Sequence, residues 1–198
     1  LGYFYGSGIE AHGPVTLNNS TVSGNTGGAF GEGVYSFGQT VDLNNSTISS
    51  NQSYGIYNQA GIVNVKNTIM ANHGSSDCYN DPSYSGVINS LGDNLVENHT
   101  NCTLAGSDLT TMTPQLGPLQ DKGGPTPTHA LLPGSPAIDA GSPDCPPPAT
   151  DQRGVARPQG TACDIGAYES VPTDIVSIRQ AVYVPAISVL FVSATSSA

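Results

Sequence analysis

The sequence predicts an all-β fold: a right-handed parallel β-helix of about three to four coils, followed by a Pro/Gly-rich wrap and a β-strand tail. The first observation is a repeat, because the segment 15–25 (VTLNNSTVSGN) recurs as 41–51 and more loosely as 63–72. The second is the alternation of apolar and polar residues within each copy, which is the period of a strand. The third is composition, since 24 Gly and 15 Pro among 198 residues leave few good helix formers.

Each repeat is interpreted as one coil of the solenoid. A second short word, Gly-(Ile/Val)-(Glu/Tyr) at 8–10, 33–35 and 55–57, precedes the three copies with spacings of 25 and 22 residues. A single turn of chain cannot bury its own apolar face, so the coils must stack. A leucine-rich horseshoe is the nearest alternative, but its dense leucine consensus is missing. A degenerate fourth coil is predicted at 86–95.

Stacking aligns equivalent side chains into columns, with about 4.8 Å between layers. Thr16, Asp42 and Asn64 alternate with the apolar residues and are predicted to point outward. The predicted interior columns are Ile9, Val34 and Ile56; Val15, Val41 and Val63; Leu17, Leu43 and Val65; and Val22, Ile48 and Ile69.

Asparagine and tyrosine residues recur at fixed phases of the repeat. Asn25, Asn51 and Asn72 are predicted to form a structural column, in which stacked amides hydrogen-bond along the axis and tolerate a left-handed corner. A binding role for these asparagines is the alternative. Tyr35 and Tyr57 are predicted to stack on the outside of the coils, and a platform for sugars is the alternative interpretation.

Composition divides the chain into coils at 1–105, a wrap of the same domain at 106–170, and a tail at 171–198. Pro-rich turns around short apolar words at 131–132 and 137–138 suit a segment that packs along the stack and covers its lower end. Five charged residues of the wrap are predicted to form an ion-pair network, with an active site as the alternative: Asp151, Arg153, Arg157, Asp164 and Glu169.

Charge and cysteine content limit the compartment and the partners. The net charge is −10 and the five basic residues are scattered, which disfavours nucleic acid and anionic membranes as partners. The four cysteines, Cys78, Cys102, Cys145 and Cys163, form no close Cys-x-x-Cys pair. Three pairings are open; Cys78–Cys102 and Cys145–Cys163 close the shortest loops and imply an oxidising compartment. No signal peptide opens the chain, and the apolar run 187–192 is too short for a transmembrane segment.

The sequence contains no recognisable catalytic motif, and no catalytic, cofactor-binding or metal-binding residue is predicted. The four histidines share no ligand spacing, and the coils carry too few basic residues for a polysaccharide lyase. Calcium is the one cation considered, because Asp77, Asn80 and Asp81 cluster in one loop and Asp93 and Asn94 in another. Ordinary exposed turns explain both loops equally well.

Three long motifs in the second half carry a family resemblance. The segments 116–141, 151–158 (DQRGVARP) and 163–169 (CDIGAYE), together with the upstream Asn-Ser-Thr repeats, resemble the choice-of-anchor Q domain of bacterial surface proteins over residues 8 to 170. The resemblance implies a parallel β-helix exported to the cell exterior. It assigns no catalytic or binding residue.

The tail differs in chemistry from the rest of the chain and is predicted to form one or two strands that need a pairing partner. We therefore expect a secreted or cell-surface structural protein, not an enzyme, that assembles into a homo-oligomer or homopolymer by end-to-end stacking and strand addition by the tail. A glycan-binding adhesin is the first alternative, and a polysaccharide lyase or hydrolase is the second. The predicted assembly residues are Ile175, Val176, Ile178, Val182, Tyr183, Val184, Ile187, Val189, Leu190, Phe191 and Val192.

Overall fold

The computed structural model describes residues 8–27, 32–110, 112–145 and 147–172, together with the backbone of 177–184 and 189–195. Parallel sheets stack as a β-solenoid of about four turns, so the predicted parallel β-helix is confirmed. None of the described residues forms a helix with the length and apolarity that crossing a bilayer requires.

Each coil contributes short strands that lie on the equivalent strands of the next coil. The first coil holds β1 (Ile9–Ala11), β2 (Val15–Asn18) and β3 (Thr21–Ser23), the second β4 (Val34–Asn44) and β5 (Thr47–Ser49), and the third β6 (Tyr54–Lys66) and β7 (Ile69–Ala71). The fourth holds β8 (Ser76–Asn80), β9 (Val87–Ser90) and β10 (Leu95–Val96), and a partial fifth holds β11 (His99–Thr100) and β12 (Leu109–Thr110). The stack therefore extends beyond the predicted boundary at 105.

Two parallel sheets enclose the core. The 7-stranded sheet joins β1, β4, β6, β8 and β11, with β2 and β9 added at its side, and the 5-stranded sheet runs in the order β12-β10-β7-β5-β3. The register between β4 and β6 is irregular from Ser36 to Gln39, where the larger sheet bends. This bend divides the larger sheet into a first face, which contains β1, and a second face, which contains β2. The smaller sheet is the third face.

The register of the second face aligns the apolar side chains as stacked repeats require. Val15 pairs with Val41, and Leu17 pairs with Leu43. The first of these columns continues through β6 into the fourth coil, where Ile88 lies against Val63. The middle coils bury these side chains fully, whereas Val15 and Leu17 in the end coil are only partly buried.

The predicted column of Leu17, Leu43 and Val65 stops one coil earlier than its neighbour. Val65 pairs with Leu43 and lies in the core with 1% of its surface exposed. Its partner in the fourth coil is Ser90, so the apolar column does not continue below Val65. The Val65 carbonyl instead accepts from the Leu91 N–H at 2.8 Å, where the fourth coil turns toward the third face.

On the third face, the predicted column of Val22, Ile48 and Ile69 is wrong by one residue in its last member. Met70 aligns with Ile48 in the core, whereas Ile69 aligns with Thr47 and points outward into a second apolar cluster beneath the wrap. Thr68 occupies the position in the third coil that Ser46 occupies in the second, so the Thr-Ile dipeptides at 47–48 and 68–69 are not structurally equivalent. The pair Val41↔Val63 shows that equivalent residues of the second and third coils differ by 22 in number, and the same difference gives the correct register on the third face.

The corner between the second and third faces explains the repeated Asn-Ser-Thr word. Asn19, Asn45 and Asn67 have φ values of 46°, 47° and 48°, a left-handed conformation that asparagine tolerates. The Asn67 amide donates to the Asn45 side-chain oxygen at 2.8 Å. The next position forms a second column along the axis, in which the backbone N–H of each of the first four residues donates to the side-chain oxygen of the residue below it. The column contains Ser20, Ser46, Thr68, Asn94 and Asp108.

At the next corner the predicted column of Asn25, Asn51 and Asn72 is formed only in part. Asn25 donates to Asn51 at 2.8 Å, but the position below Asn51 belongs to His73, whose Nε2 lies 3.3 Å from the Asn51 amide nitrogen. Asn72 is instead the left-handed residue of the turn, with φ 64°, equivalent to Ser50 with φ 57°. This prediction and that for Ile69 are wrong for the same reason, because both align the third copy of the repeat one residue out of register.

The wrap lies along the third face. It contains the antiparallel hairpin β13 (Leu116–Gln120) and β14 (Thr128–Leu131). Its apolar side chains Leu131, Ala137 and Ile165 pack on Ile69 and Leu95. Polar groups meet at the first coil, where Ser23 Oγ lies 2.8 Å from His129 Nε2.

Two disulfides and a hairpin complete the fold. Cys78–Cys102 links the fourth coil to the partial fifth coil with a Cα–Cα distance of 6.3 Å, and Cys145–Cys163 closes a loop of the wrap with 5.5 Å. In the tail, β15 (Ser177–Val184) pairs with β16 (Val189–Thr195) in an antiparallel two-stranded sheet. Each strand of the tail thus pairs with the other along one of its two edges.

Candidate functional site

The first coil presents a strand edge at one end of the stack. The Asn19 N–H donates to the Asn44 carbonyl at 3.1 Å. Successive residues of a strand turn their backbone groups to opposite sides, so Leu17 faces β4, whereas Thr16 and Asn18 face away from it. Among the described residues, no strand pairs with β1, β2 or β3 on that side. Such an edge is a template for another strand.

The opposite end of the stack has a different construction. The strands β11 and β12 contain 2 residues each, so little regular edge is offered there. Cys102 and Leu104 lie partly buried against the end of the core. The two ends are therefore different surfaces, and a contact between them would be heterologous.

A cluster of tyrosines lies on the outside of the first face. Tyr35, Tyr57 and Tyr79 align in register on three successive coils. The ring centroids of Tyr54, Tyr57 and Tyr79 lie 5.0–5.2 Å apart, and these three side chains are half-buried. Tyr35 is only 2% exposed, so of the two tyrosines predicted from the sequence only Tyr57 lies on the accessible part of the cluster.

Asp81 anchors the tyrosine cluster at its polar side. The Tyr57 hydroxyl donates to Asp81 Oδ2 at 2.7 Å, and the Ser83 N–H donates to Oδ1 at 2.8 Å. Burial works against the charged carboxylate, but these hydrogen bonds outweigh it and lower the pKa of Asp81. Burial and the Asp81 carboxylate raise the pKa of Tyr57 well above its ordinary value. The pair is therefore a fixed donor and acceptor at neutral pH.

The first segment considered for calcium is not one loop, because Asp77 and Asn80 lie in β8 and only Asp81 follows the strand. The carboxylates of both segments already have protein partners. Asp77 accepts from the backbone N–H groups of His73 and Asn98, and Asp93 lies 3.8 Å from Lys66 Nζ. Within the described part of the chain, no three His, Cys, Asp or Glu side chains come together as a metal-binding group.

The charged residues of the wrap form a buried network. Arg157 lies 2.8 Å from Glu169 with both side chains 0% exposed, and Arg153 lies 2.7 Å from Asp151. Glu169 also accepts from the backbone of Gln159 and Asp164. Burial raises the pKa of Glu169 and lowers the pKa of Arg157, although each partner opposes the shift of the other. These side chains hold the wrap together through ion pairs and hydrogen bonds to its backbone, although the buried Nε of Arg157 has no hydrogen-bond partner.

Two open clefts lie beside the wrap. One, of about 470 Å³, lies between the third face of the first coil and the β13–β14 hairpin, and is lined by Asn19, Ser20, Thr21, Ser23, Leu119, Pro125, Thr126, Pro127 and Gln152. The other, of about 480 Å³, is lined by Leu131, Pro133, Ile138, Asp139, Gly160, Asp164, Tyr168, Ser170, Val171 and Pro172. No local sequence pattern signals either cleft, because each forms between segments distant in the chain.

The predicted assembly residues of the tail fall into two groups. Ile175, Val176 and Ile187 lie outside the described residues. The others lie in β15 and β16, where Val182 pairs with Phe191 and Val184 pairs with Val189.

The fold and these surfaces define a class, a disulfide-bonded parallel β-solenoid with a strand edge at one end. No family model matches the chain, and no curated protein or solved structure is detectably similar to it. The resemblance to the choice-of-anchor Q domain stays a prediction from the sequence motifs.

Proposed function

We propose that this protein is a structural subunit of an extracellular assembly, in which copies stack end to end through the strand edges of their β-helices. The proposal assigns no catalytic residue and no cofactor. Its location rests on the two disulfides, which persist in oxidising compartments, and on the motifs similar to bacterial surface proteins.

The observation that carries the proposal is the edge of the first coil. Thr16 and Asn18 direct backbone groups away from β4, and Val15 and Leu17 are only partly covered. Another coil at this end would satisfy those backbone groups and extend the two apolar columns by one layer.

The tail offers a second contact of the same chemistry. Its hairpin pairs β15 with β16, so each strand keeps one edge without a partner strand in the described pairings. A strand of a neighbouring copy added there would extend the two-stranded sheet. Two-stranded sheets are marginal by themselves in water, which favours such an extension.

The test is a proline on the free edge. Thr16→Pro removes an N–H that faces away from β4, and it blocks strand addition, whereas Thr16→Val keeps the N–H and serves as the control. We expect wild type and T16V to form fibres or large oligomers by electron microscopy and light scattering. T16P should remain monomeric with an unchanged circular dichroism spectrum. A wild-type protein that stays monomeric at every soluble concentration would overturn the proposal.

A glycan-binding surface is the second candidate, and the cluster of Tyr54, Tyr57 and Tyr79 favours it. Three half-buried rings on the outside of the first face, with the carboxylate of Asp81 beside them, offer apolar and polar groups that suit the two sides of a sugar. A glycan array is the test: Tyr54→Ala and Tyr79→Ala should each abolish a hit. Tyr84→Ala, an exposed tyrosine outside the cluster, should leave it intact. An array with no hits for wild type removes this candidate.

A further inference from the structure

The cleft of about 480 Å³ lies beside the last residues of the wrap and combines apolar walls with carboxylates. Ile138 is partly buried in it, and Val171 is 53% exposed. The carboxylates are those of Asp139 and Asp164, and the described residues that line the cleft include no Lys, Arg or His. Mainly apolar walls with a few fixed polar groups are the usual construction of a site for a small ligand.

The two carboxylates of the cleft differ in their contacts. Asp164 is 2% exposed, and its oxygens accept from the backbone N–H groups of Asp139 and Ser170. Asp139 is exposed, and its Oδ1 accepts from the Ala162 N–H at 3.2 Å. Among the described residues, no donor reaches Asp139 Oδ2. One carboxylate oxygen in the cleft is therefore open to a donor from a ligand.

The charge of these carboxylates is not balanced by an ion pair. Both arginines of the wrap pair with other carboxylates, and no cation of the described residues lies within ion-pair distance of Asp139 or Asp164. Burial raises the pKa of Asp164, and repulsion by the Asp139 carboxylate adds to this, although hydrogen bonds oppose the shift. A cation held in the cleft would relieve this repulsion.

The walls of the cleft are fixed by packing. The Gly160 backbone lies so close to the Asp139 carboxylate that a Cβ at residue 160 would overlap it. The Arg153 guanidinium covers the Tyr168 ring at 3.6 Å from its centroid, and Arg153 is held in turn by Asp151 at 2.7 Å. Ordering such preformed walls on binding costs little entropy.

We propose that this cleft binds an organic ammonium ion carried on an aliphatic stem, with the ammonium group on Asp139 and the stem against Ile138 and Val171. Free diamines and lysine side chains share this chemistry. The net charge of −10 also favours a cationic ligand over an anionic one. Binding here requires no contact between copies, so it is separate from the proposed assembly.

Titration with small probes tests the site and identifies the source of the ammonium group. The probes are cadaverine, Nα-acetyl-lysine methylamide and pentanol, and two-dimensional NMR of the backbone amides follows their binding. We expect shifts at 138–139, 160 and 168–171 with the two cations. Pentanol has the stem without the charge and should bind at least about tenfold more weakly.

Each outcome of the titration decides a point. Binding of cadaverine alone supports a free diamine as the ligand, and binding of the lysine derivative alone supports a lysine side chain of a polypeptide. Equal affinity for pentanol would overturn the role of charge. If no probe shifts the amides of the cleft, the proposed site is wrong, whether or not the protein assembles.

Two matched variants test the carboxylate. Asp139→Asn keeps a side-chain acceptor for Ala162 and tolerates the left-handed backbone of φ 54°, so we expect the same fold and about tenfold weaker binding of cadaverine. Asp121→Asn is the control, because Asp121 is also exposed, accepts from the Gly123 N–H at 2.8 Å and does not line the cleft. It should bind cadaverine like wild type. Equal weakening in both variants would show that net charge, not the cleft, attracts the cation.

A third variant tests the position of the carboxylate with its charge unchanged. Gly160→Ala displaces the Asp139 carboxylate and keeps both negative charges, so we expect cadaverine to bind about tenfold more weakly than to wild type. Wild-type affinity in this variant would overturn the placement of the ammonium group on Asp139.

Discussion

His73 Nδ1 lies 3.0 Å from Asp77 Oδ1, with side chains that are 0% and 2% exposed, where the third coil meets the fourth. The direction of Nδ1 falls outside hydrogen-bond geometry, so the contact is electrostatic. His73 also extends the asparagine column through Asn51. The imidazole thus links a column that runs up the stack to a carboxylate that holds the coil below.

Replacing His73 tests this link. His73→Leu leaves Asp77 without its buried neighbour and removes one of the partners of Asn51, and we expect a loss of about 2 kcal/mol in the free energy of unfolding. His73→Asn restores an amide to the column and should lose less. Urea denaturation measures both. Equal losses in the two variants would mean that packing volume, not polarity, decides this position.

Asn67 joins the corner of the stack to the wrap. Its amide donates to the Asp164 carbonyl at 3.0 Å, and its side-chain oxygen accepts from the Ser142 N–H at 3.2 Å. Asn67→Ala adds a strained left-handed backbone to the lost bonds, so we expect a loss of about 3 kcal/mol. Asn67→Gly relieves the strain and should cost less. Asn44→Ala, one position before the equivalent corner residue, is the control and should be nearly neutral by thermal unfolding.

The Arg157–Glu169 pair predicts a strong effect from removing one member. Arg157→Met leaves a buried carboxylate without its cation, and breaking such a pair costs about 3–5 kcal/mol. Lys66→Met breaks a partly exposed pair with Asp93 and should stay within about 0.5 kcal/mol. Chemical denaturation compares the two. A loss below that of K66M would show that Glu169 is held by the backbone donors alone.

Asp81 predicts a contribution to acid sensitivity. Its pKa is lowered in the folded state, so the stability it adds is present above its unfolded pKa and is lost as the pH falls through the folded pKa. Tyr57→Phe removes the hydrogen bond and should reduce this loss. Melting temperatures between about pH 2 and pH 6 measure it. Tyr84→Phe is the control, and identical acid profiles of Y57F and wild type would contradict the assignment.

Much of the fold follows from the repeat, and the two errors in the third copy have one source. The inward direction of Leu43, Val63 and Val65 was predictable because apolar and polar residues alternate strictly on the second face. On the third face both sides are buried, so Ile69 and Met70 are both apolar and alternation carries no information about which points inward. The same ambiguity displaced the asparagine column by one residue in the third copy. The imidazole that replaces the third amide was missed because it differs in type from the asparagines above it.

The candidate sites were less readable than the fold. The alignment of the tyrosines was predictable from their equal positions in the repeat. The burial of Tyr35 was not, because it depends on the side chains that cover it. The cleft beside Leu119 arises where a hairpin more than a hundred residues from β3 in the sequence lies against it. No local pattern reports such a meeting.

The sequence by itself determined the coil, its period and the direction of its side chains, because each is set by neighbours a few residues apart and repeated in register. Only the tertiary structure decided where the wrap lies, which charges it buries and which strand edge it leaves open. Those outcomes depend on contacts between distant segments, whose free energy is the sum of many small terms that no single stretch of sequence contains.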